Sequence, residues 1–164
     1  MEIFGVCHSS FVLEETLRRI DEQLEHRVPS QVLVELPTNY DQLVNRGIAR
    51  KGTFFDTIAS SYHKRGSAII YGDRELILPD RPLSLAEVLL PEYFFDSDER
   101  DEFMVKQIRE RKPNVVILGV GHTEIIAPMF PQASYVVFHH DLWARYDRIR
   151  SPQAHRVVRL VENS

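Results

Sequence analysis

The sequence predicts an α/β protein: a single three-layer domain with a central, mainly parallel sheet of about five strands flanked by helices. Three observations carry this. Short apolar runs rich in β-branched residues recur at 3–6, 32–34, 68–71, 115–118 and 135–138. Most do not alternate with polar residues, which is how strands buried on both faces read. Longer amphipathic stretches lie between them. The length of 164 residues suits one core, so the domain is taken as 1–164.

The first run, 3–6, leads into a helix expected over 12–26. Ser9 and Ser10 are candidate caps, and Glu14 and Glu15 suit a first turn. Leu13, Leu17, Ile20 and Leu24 keep helical spacing along it. After the strand at 32–34 a shorter helix is expected over 55–64, then the strand at 68–71. Pro79, Pro82 and Pro91 mark a loop-rich middle around a short helical stretch at 85–90. A helix over 98–111 carries Phe103, Met104, Gln107 and Ile108 on one stripe, with Pro113 just past its end. The order β-α-β-(α)-β-α-β-α-β predicts one doubly wound sheet.

Composition narrows the function classes. Apolar residues make up 43%, charged residues 27%, and the net charge is −4. A nucleic-acid partner is not expected, because phosphate contacts need a basic surface. The local basic excess from Arg145 to Arg159 includes Asp147 and reads as a solvated helix face. Cys7 is the one cysteine, so no intrachain disulfide is expected. It reads as a small buried apolar residue before a nucleophile. The first residues lack the features of a signal peptide, and no run approaches the ~20 apolar residues of a membrane span. No membrane partner is expected, and the cytoplasm is the expected compartment.

The chemistry-bearing residues follow the strands. Gly5-Val6-Cys7-His8 follows Ile3-Phe4, and Glu35-Leu36-Pro37, Gly72-Asp73-Arg74, Gly119-Val120-Gly121-His122 and His139-His140-Asp141 each succeed a run. In a parallel sheet all five would sit at carboxyl ends, the edge where open α/β sheets bind ligands. Neutral imidazoles there suit a divalent metal or a general base. Glu35 completes a set of two His and one acid. Asp73 beside Arg74 offers an anion-binding fork. Arg100 stands one turn before Phe103 and Met104 on the inward stripe of its helix. Each feature has a plainer reading. The histidines can be structural, Glu35 a helix cap and Asp73 a turn residue. Arg100 can pair at the surface with Glu99 or Asp101, and His139 and His140 can open the last helix. No nucleophile elbow, Walker loop or dinucleotide fingerprint is present.

Taken in order, these stretches resemble the TraB/PrgY/Tiki family, part of a wider group that includes erythromycin-esterase-like and ChaN-like proteins. The likeness rests on four segments: Ile3 to Ser10 with its Gly-x-x-His turn, Val32-Leu33-Val34-Glu35-Leu36, Ile69 to Arg74 ending in Gly-Asp-Arg, and Glu99-Arg100-Asp101 followed by the second Gly-x-x-His turn at Gly119 to His122. The resemblance implies a shared α/β core and a site made of His8, Glu35, Arg74, Arg100 and His122. It implies for some members a metal-dependent peptidase. The stretch between Glu35 and Gly72 is shorter than in relatives, and Gly52-Thr53-Phe54 stands where a further acidic residue is looked for.

The leading expectation is a divalent-metal-dependent hydrolase acting on a peptide or small amide or ester. His8, Glu35 and His122 would hold Mn, Co or Zn. Asp73, Arg74 and Arg100 would bind substrate, with the two arginines steadying its carboxylate or oxyanion. A second expectation is a metal-independent, esterase-like hydrolase with a histidine base oriented by Glu35. A third is a non-catalytic regulator that binds a small anion, a peptide end or a metal, with a homodimer allowed.

Overall fold

In a computed structural model the expected α/β architecture is present, described for residues 1–8, 10–77 and 97–138. The elements in chain order are β1 (Glu2–Val6), a 3-10 turn (Ser10–Val12), α1 (Leu13–Gln23), β2 (Gln31–Pro37), α2 (Tyr40–Asn45), α3 (Phe54–Lys64), β3 (Ala68–Asp73), α4 (Ser97–Arg111), β4 (Val115–Gly119), α5 (Val120–Ile126), a second 3-10 turn (Ala127–Met129) and β5 (Ser134–Val137). The helical stretch expected at 85–90, the three loop prolines, the basic tail and His139 and His140 lie outside the described residues. Among the described residues no helix is long and apolar enough to cross a membrane.

The five strands form one sheet in the order β3-β2-β4-β1-β5, and every pairing is parallel. Side chains alternate across it, as the pleat requires. Phe4, Val6, Val32, Val34 and Ile117 face one layer, where α1 brings Ile20 and α3 brings Phe55, Ile58 and Tyr62. Ile3, Leu33, Val116 and Leu118 face the other, against Met104, Val105 and Ile108 of α4 and Ile126 of α5. Both faces are therefore covered, which is why the runs carry little polar alternation. Each fully buried Ile, Leu or Val contributes about 1.5–3 kcal/mol relative to exposure.

The short helix α2 was not expected, and two of the expected elements differ in detail. The first helix is shorter than 12–26, because Glu25 and His26 both take positive φ and turn the chain toward β2. On α4 the inward stripe is Met104, Val105 and Ile108, while Phe103 and Gln107 are half-buried.

The topology also places a crevice. β1 and β4 are neighbours, yet α1, after β1, packs on one face and α5, after β4, on the other. The chain thus parts at the carboxyl ends of β1 and β4, the switch point at which open α/β sheets bind ligands. The absence of a Cβ at Gly5 lets α5 come close to β1. An added Cβ would lie 3.1 Å from Thr123, which is fully buried and whose hydroxyl donates to the Gly119 carbonyl at 3.0 Å.

Candidate functional site

The crevice is built around one carboxylate. Glu35 extends from β2, a central strand, and its side chain is only 5% exposed. A buried carboxylate needs donors or it would shed its charge. Glu35 has several. Its Oε2 accepts the Gly119 backbone N–H at 2.7 Å, and its Oε1 accepts Arg100 Nη2 at 2.8 Å. His122 Nε2 stands 3.4 Å from Oε1, and His8 Nε2 stands 3.7 Å from Oε2. Burial pushes the Glu35 carboxyl up, but His122, His8 and the Gly119 N–H outweigh it and hold it at about 2. Glu35 is therefore an anion at any physiological pH.

Arg100 ties this carboxylate to the edge of the sheet. Its Nε lies 3.1 and 3.0 Å from the two Asp73 oxygens, and its Nη2 is 2.6 Å from Asp73 Oδ2. Asp73, buried at the end of β3, also accepts the Arg74 backbone N–H at 2.8 Å. The Arg74 side chain turns to Glu99. The surface pair of Arg100 with Glu99 or Asp101 is thus replaced by an inward bridge from Arg100 to Asp73 and Glu35.

The two histidines meet opposite surroundings. His122, on the first turns of α5, has a carboxylate facing each ring nitrogen. Nδ1 is 2.5 Å from Asp101 Oδ1, and Nε2 faces Glu35. Burial pulls its pKa down, but the Glu35 and Asp101 contacts outweigh this and raise it above the ordinary imidazole value. His8 follows β1, and its side chain is 47% exposed at the crevice mouth. The ring packs edge-on to Phe55 at 4.6 Å between centroids and lies near Phe54 at 6.1 Å. Desolvation lowers its pKa, against the pull of Glu35. Close approach of His8 depends on Gly119, where an added Cβ would fall 2.3 Å from His8 Nε2.

His8, Glu35, Asp73, Arg100 and His122 are therefore brought into one cluster, with Arg74 at its rim. Three contributors lay outside the sequence expectation. Asp101 holds His122, and it stood in view inside Glu99-Arg100-Asp101, but only as a surface partner. Phe54 lies near His8 in the stretch where the resemblance implies a further acidic residue, and Phe55 packs against the same ring. Cys7 is buried.

The donor chemistry of two imidazoles and a carboxylate suits a divalent ion, yet the arrangement does not fit one. Metal binding needs neutral imidazoles and free carboxylate lone pairs. Glu35 is already engaged by Arg100 and Gly119, and the two carboxylates facing His122 favour its protonated form, which cannot ligate. Among the described residues no three His, Cys, Asp or Glu side chains are grouped to hold a metal ion.

Fold and site together define an all-parallel α/β protein with an imidazole–carboxylate cluster at its switch point. Comparison of the chain with family models, with curated proteins and with solved structures gives no match.

Proposed function

We propose that the chain is a hydrolase that works by acid–base chemistry at this cluster, without a metal, on a peptide-like amide or a small ester. The observation that carries the reading is the opposite environment of two imidazoles about one carboxylate. Pairs of titratable groups pushed apart in this way divide into an acid and a base. His8, neutral and open to the crevice mouth, takes a proton from water through Nε2 as the oxygen attacks the carbonyl carbon. His122, as imidazolium, gives its Nε2 proton to the leaving oxygen or nitrogen as that bond breaks. Glu35 stays ionised, faces the protonated Nε2 of His122, and stabilises the charge that forms on His8 as it takes the proton. Asp101 orients His122 through Nδ1, as the carboxylate does in a hydrolytic triad. Arg100 positions Glu35 and is not itself directed at substrate. The motif order resembling the TraB/PrgY/Tiki family supports the hydrolase class.

The metal-dependent reading keeps one observation in its favour, the Asp101–His122 pair, since ligating histidines commonly give their second N–H to a carboxylate. It requires His122 to give up its Nε2 proton and both imidazoles to turn a bare nitrogen toward one ion beside Glu35.

The test is turnover of a panel of activated esters and peptide amides after exhaustive chelation, followed by addition of Mn, Co or Zn. The expected result is turnover that survives chelation and falls by about 10²–10⁴ in His8→Gln. Turnover abolished by chelation and restored by one ion would replace this reading with the metal-dependent one. No turnover of either class by the intact fold would contradict both.

A further inference from the structure

The two histidines of the crevice are held in different ways. His122 has a carboxylate facing each ring nitrogen. His8 has nothing of the kind. Its Nε2 stands 3.7 Å from Glu35 Oε2, beyond hydrogen-bond reach, and among the described residues neither ring nitrogen makes a hydrogen bond. Its side chain is 47% exposed on the turn after β1, so water alone would let the ring rotate. A base that rotates freely is seldom aimed at the proton it must take. Packing is what remains to fix it.

The first turn of α3 supplies that packing. Phe55 meets the His8 ring edge-on, 4.6 Å between centroids with the planes at 76°, and Phe54 stacks near it at 6.1 Å and 23°. Both separations lie in the range of about 4.5–7 Å in which aromatic rings attract. Adjacent helical residues diverge by about 100°, so two consecutive side chains reach one imidazole from two directions. The two phenylalanines also brace each other, centroids 5.5 Å apart and rings at 89°. This platform is itself anchored. Phe55 is buried in the core with Ile58 and Tyr62. Ahead of it, Gly52 turns the chain into α3 with φ +81°, and its N–H donates to Asp56 Oδ2 at 2.6 Å. Below the ring, the bare Gly119 leaves the space that Nε2 occupies.

We propose that Phe55 and Phe54 are positioning residues, holding the His8 ring with Nε2 toward Glu35 in place of a hydrogen-bonded partner. Their part in catalysis rests on the reading of His8 as general base. The holding of the ring does not, and the experiment reads the two separately.

The experiment measures the His8 ring by NMR relaxation in the full chain, beside kcat and KM on the ester and amide panel. Phe55→Leu and Phe54→Leu keep apolar bulk and remove the ring. Phe54→Tyr keeps the ring, with its hydroxyl able to reach water from this half-buried position. In the native chain the His8 ring is expected to show nuclear Overhauser contacts to both phenylalanines and an order parameter above about 0.8, falling below about 0.6 in the Phe54→Leu, Phe55→Leu double variant. The kcat is expected to fall about threefold in Phe54→Leu and about tenfold in Phe55→Leu, with KM within twofold, and to return to the native value in Phe54→Tyr. A His8 ring as rigid in the double variant as in the native chain would overturn the proposal. Should Phe55→Leu fail to fold, equal rigidity in Phe54→Leu overturns it instead. Loss of kcat in Phe54→Tyr equal to that in Phe54→Leu would overturn it as well. A native chain that turns over nothing, yet whose His8 ring loosens in the leucine variants, supports the holding of the ring and removes the hydrolase reading alone.

Discussion

At the residue scale two chemically identical side chains are made to differ. His8 meets phenylalanine faces and partial desolvation; His122 meets a carboxylate at each nitrogen. The predicted pH dependence follows with its sign. The base must be neutral, so kcat/KM rises with pH through the lowered His8 pKa, below 6.5. The acid must keep its proton, so kcat/KM falls through the raised His122 pKa, above 6.5. The profile is a bell. His8→Gln should remove its rising limb and His122→Gln its falling limb, as read from pH-rate profiles of both variants. Glu35 gives a second prediction, on stability. Its folded carboxyl lies at about 2 against 4.5 ordinarily. That difference corresponds to about 3 kcal/mol of stability, present above pH 4.5 and lost as pH falls toward 2. Urea midpoints between pH 6 and 2.5 should drop more steeply for the native chain than for Glu35→Gln. At neutral pH, Glu35→Gln should cost about 1–3 kcal/mol, because Arg100 keeps Asp73 but loses the charge on its second buried partner.

At the element scale, four strands and one helix supply the groups. β1 leads to His8, β2 carries Glu35, β3 ends at Asp73, and β4 passes through Gly119 into His122. α4 gives two consecutive side chains to two different partners. Consecutive helical residues diverge by about 100°, so Arg100 reaches toward β3 and β2 while Asp101 meets α5. That divergence is why Asp101 was hard to find in sequence: the periodicity that placed Arg100 inward left its neighbour looking lateral. The helix α2 was missed for another reason, since six residues are too few to show a period. Phe54 and Phe55 read as helix-start apolar residues, and only the tertiary approach of His8 gives them a role. Gly119 carries a prediction at this scale. Its φ of −60° and ψ of 151° suit any residue, and an alanine Cβ would meet first the end of the half-exposed His8 side chain and then, at 3.2 Å, Glu35 Oε2. Gly119→Ala should therefore displace His8 and cut kcat/KM at least tenfold. The thermal midpoint, followed by calorimetry, should move by only a few degrees.

At the scale of the whole molecule, the fold class was the most legible feature. Strands covered on both faces leave an uninterrupted apolar signature, and Val32-Leu33-Val34 and Val115-Val116-Ile117-Leu118 carry it plainly. The edge at which chemistry collects was legible for the same reason, because His8, Glu35, Asp73 and His122 stand at or just after strand ends. The switch point was not. It depends on strand order, and nothing local in the sequence says that β4 inserts between β2 and β1. That insertion brings Glu35, His122 and His8 side by side from three adjacent strands. It makes one cluster of residues separated by up to 114 positions (122 − 8). The claim that unites the three scales is that this cluster drives the two imidazoles in opposite directions. An NMR titration of the imidazole ring protons, with His8 and His122 assigned by substitution, tests it most directly. The account predicts a midpoint below 6.5 for His8 and above 6.5 for His122, with the His122 midpoint falling in Glu35→Gln. Coincident midpoints, or the reverse order, would contradict it.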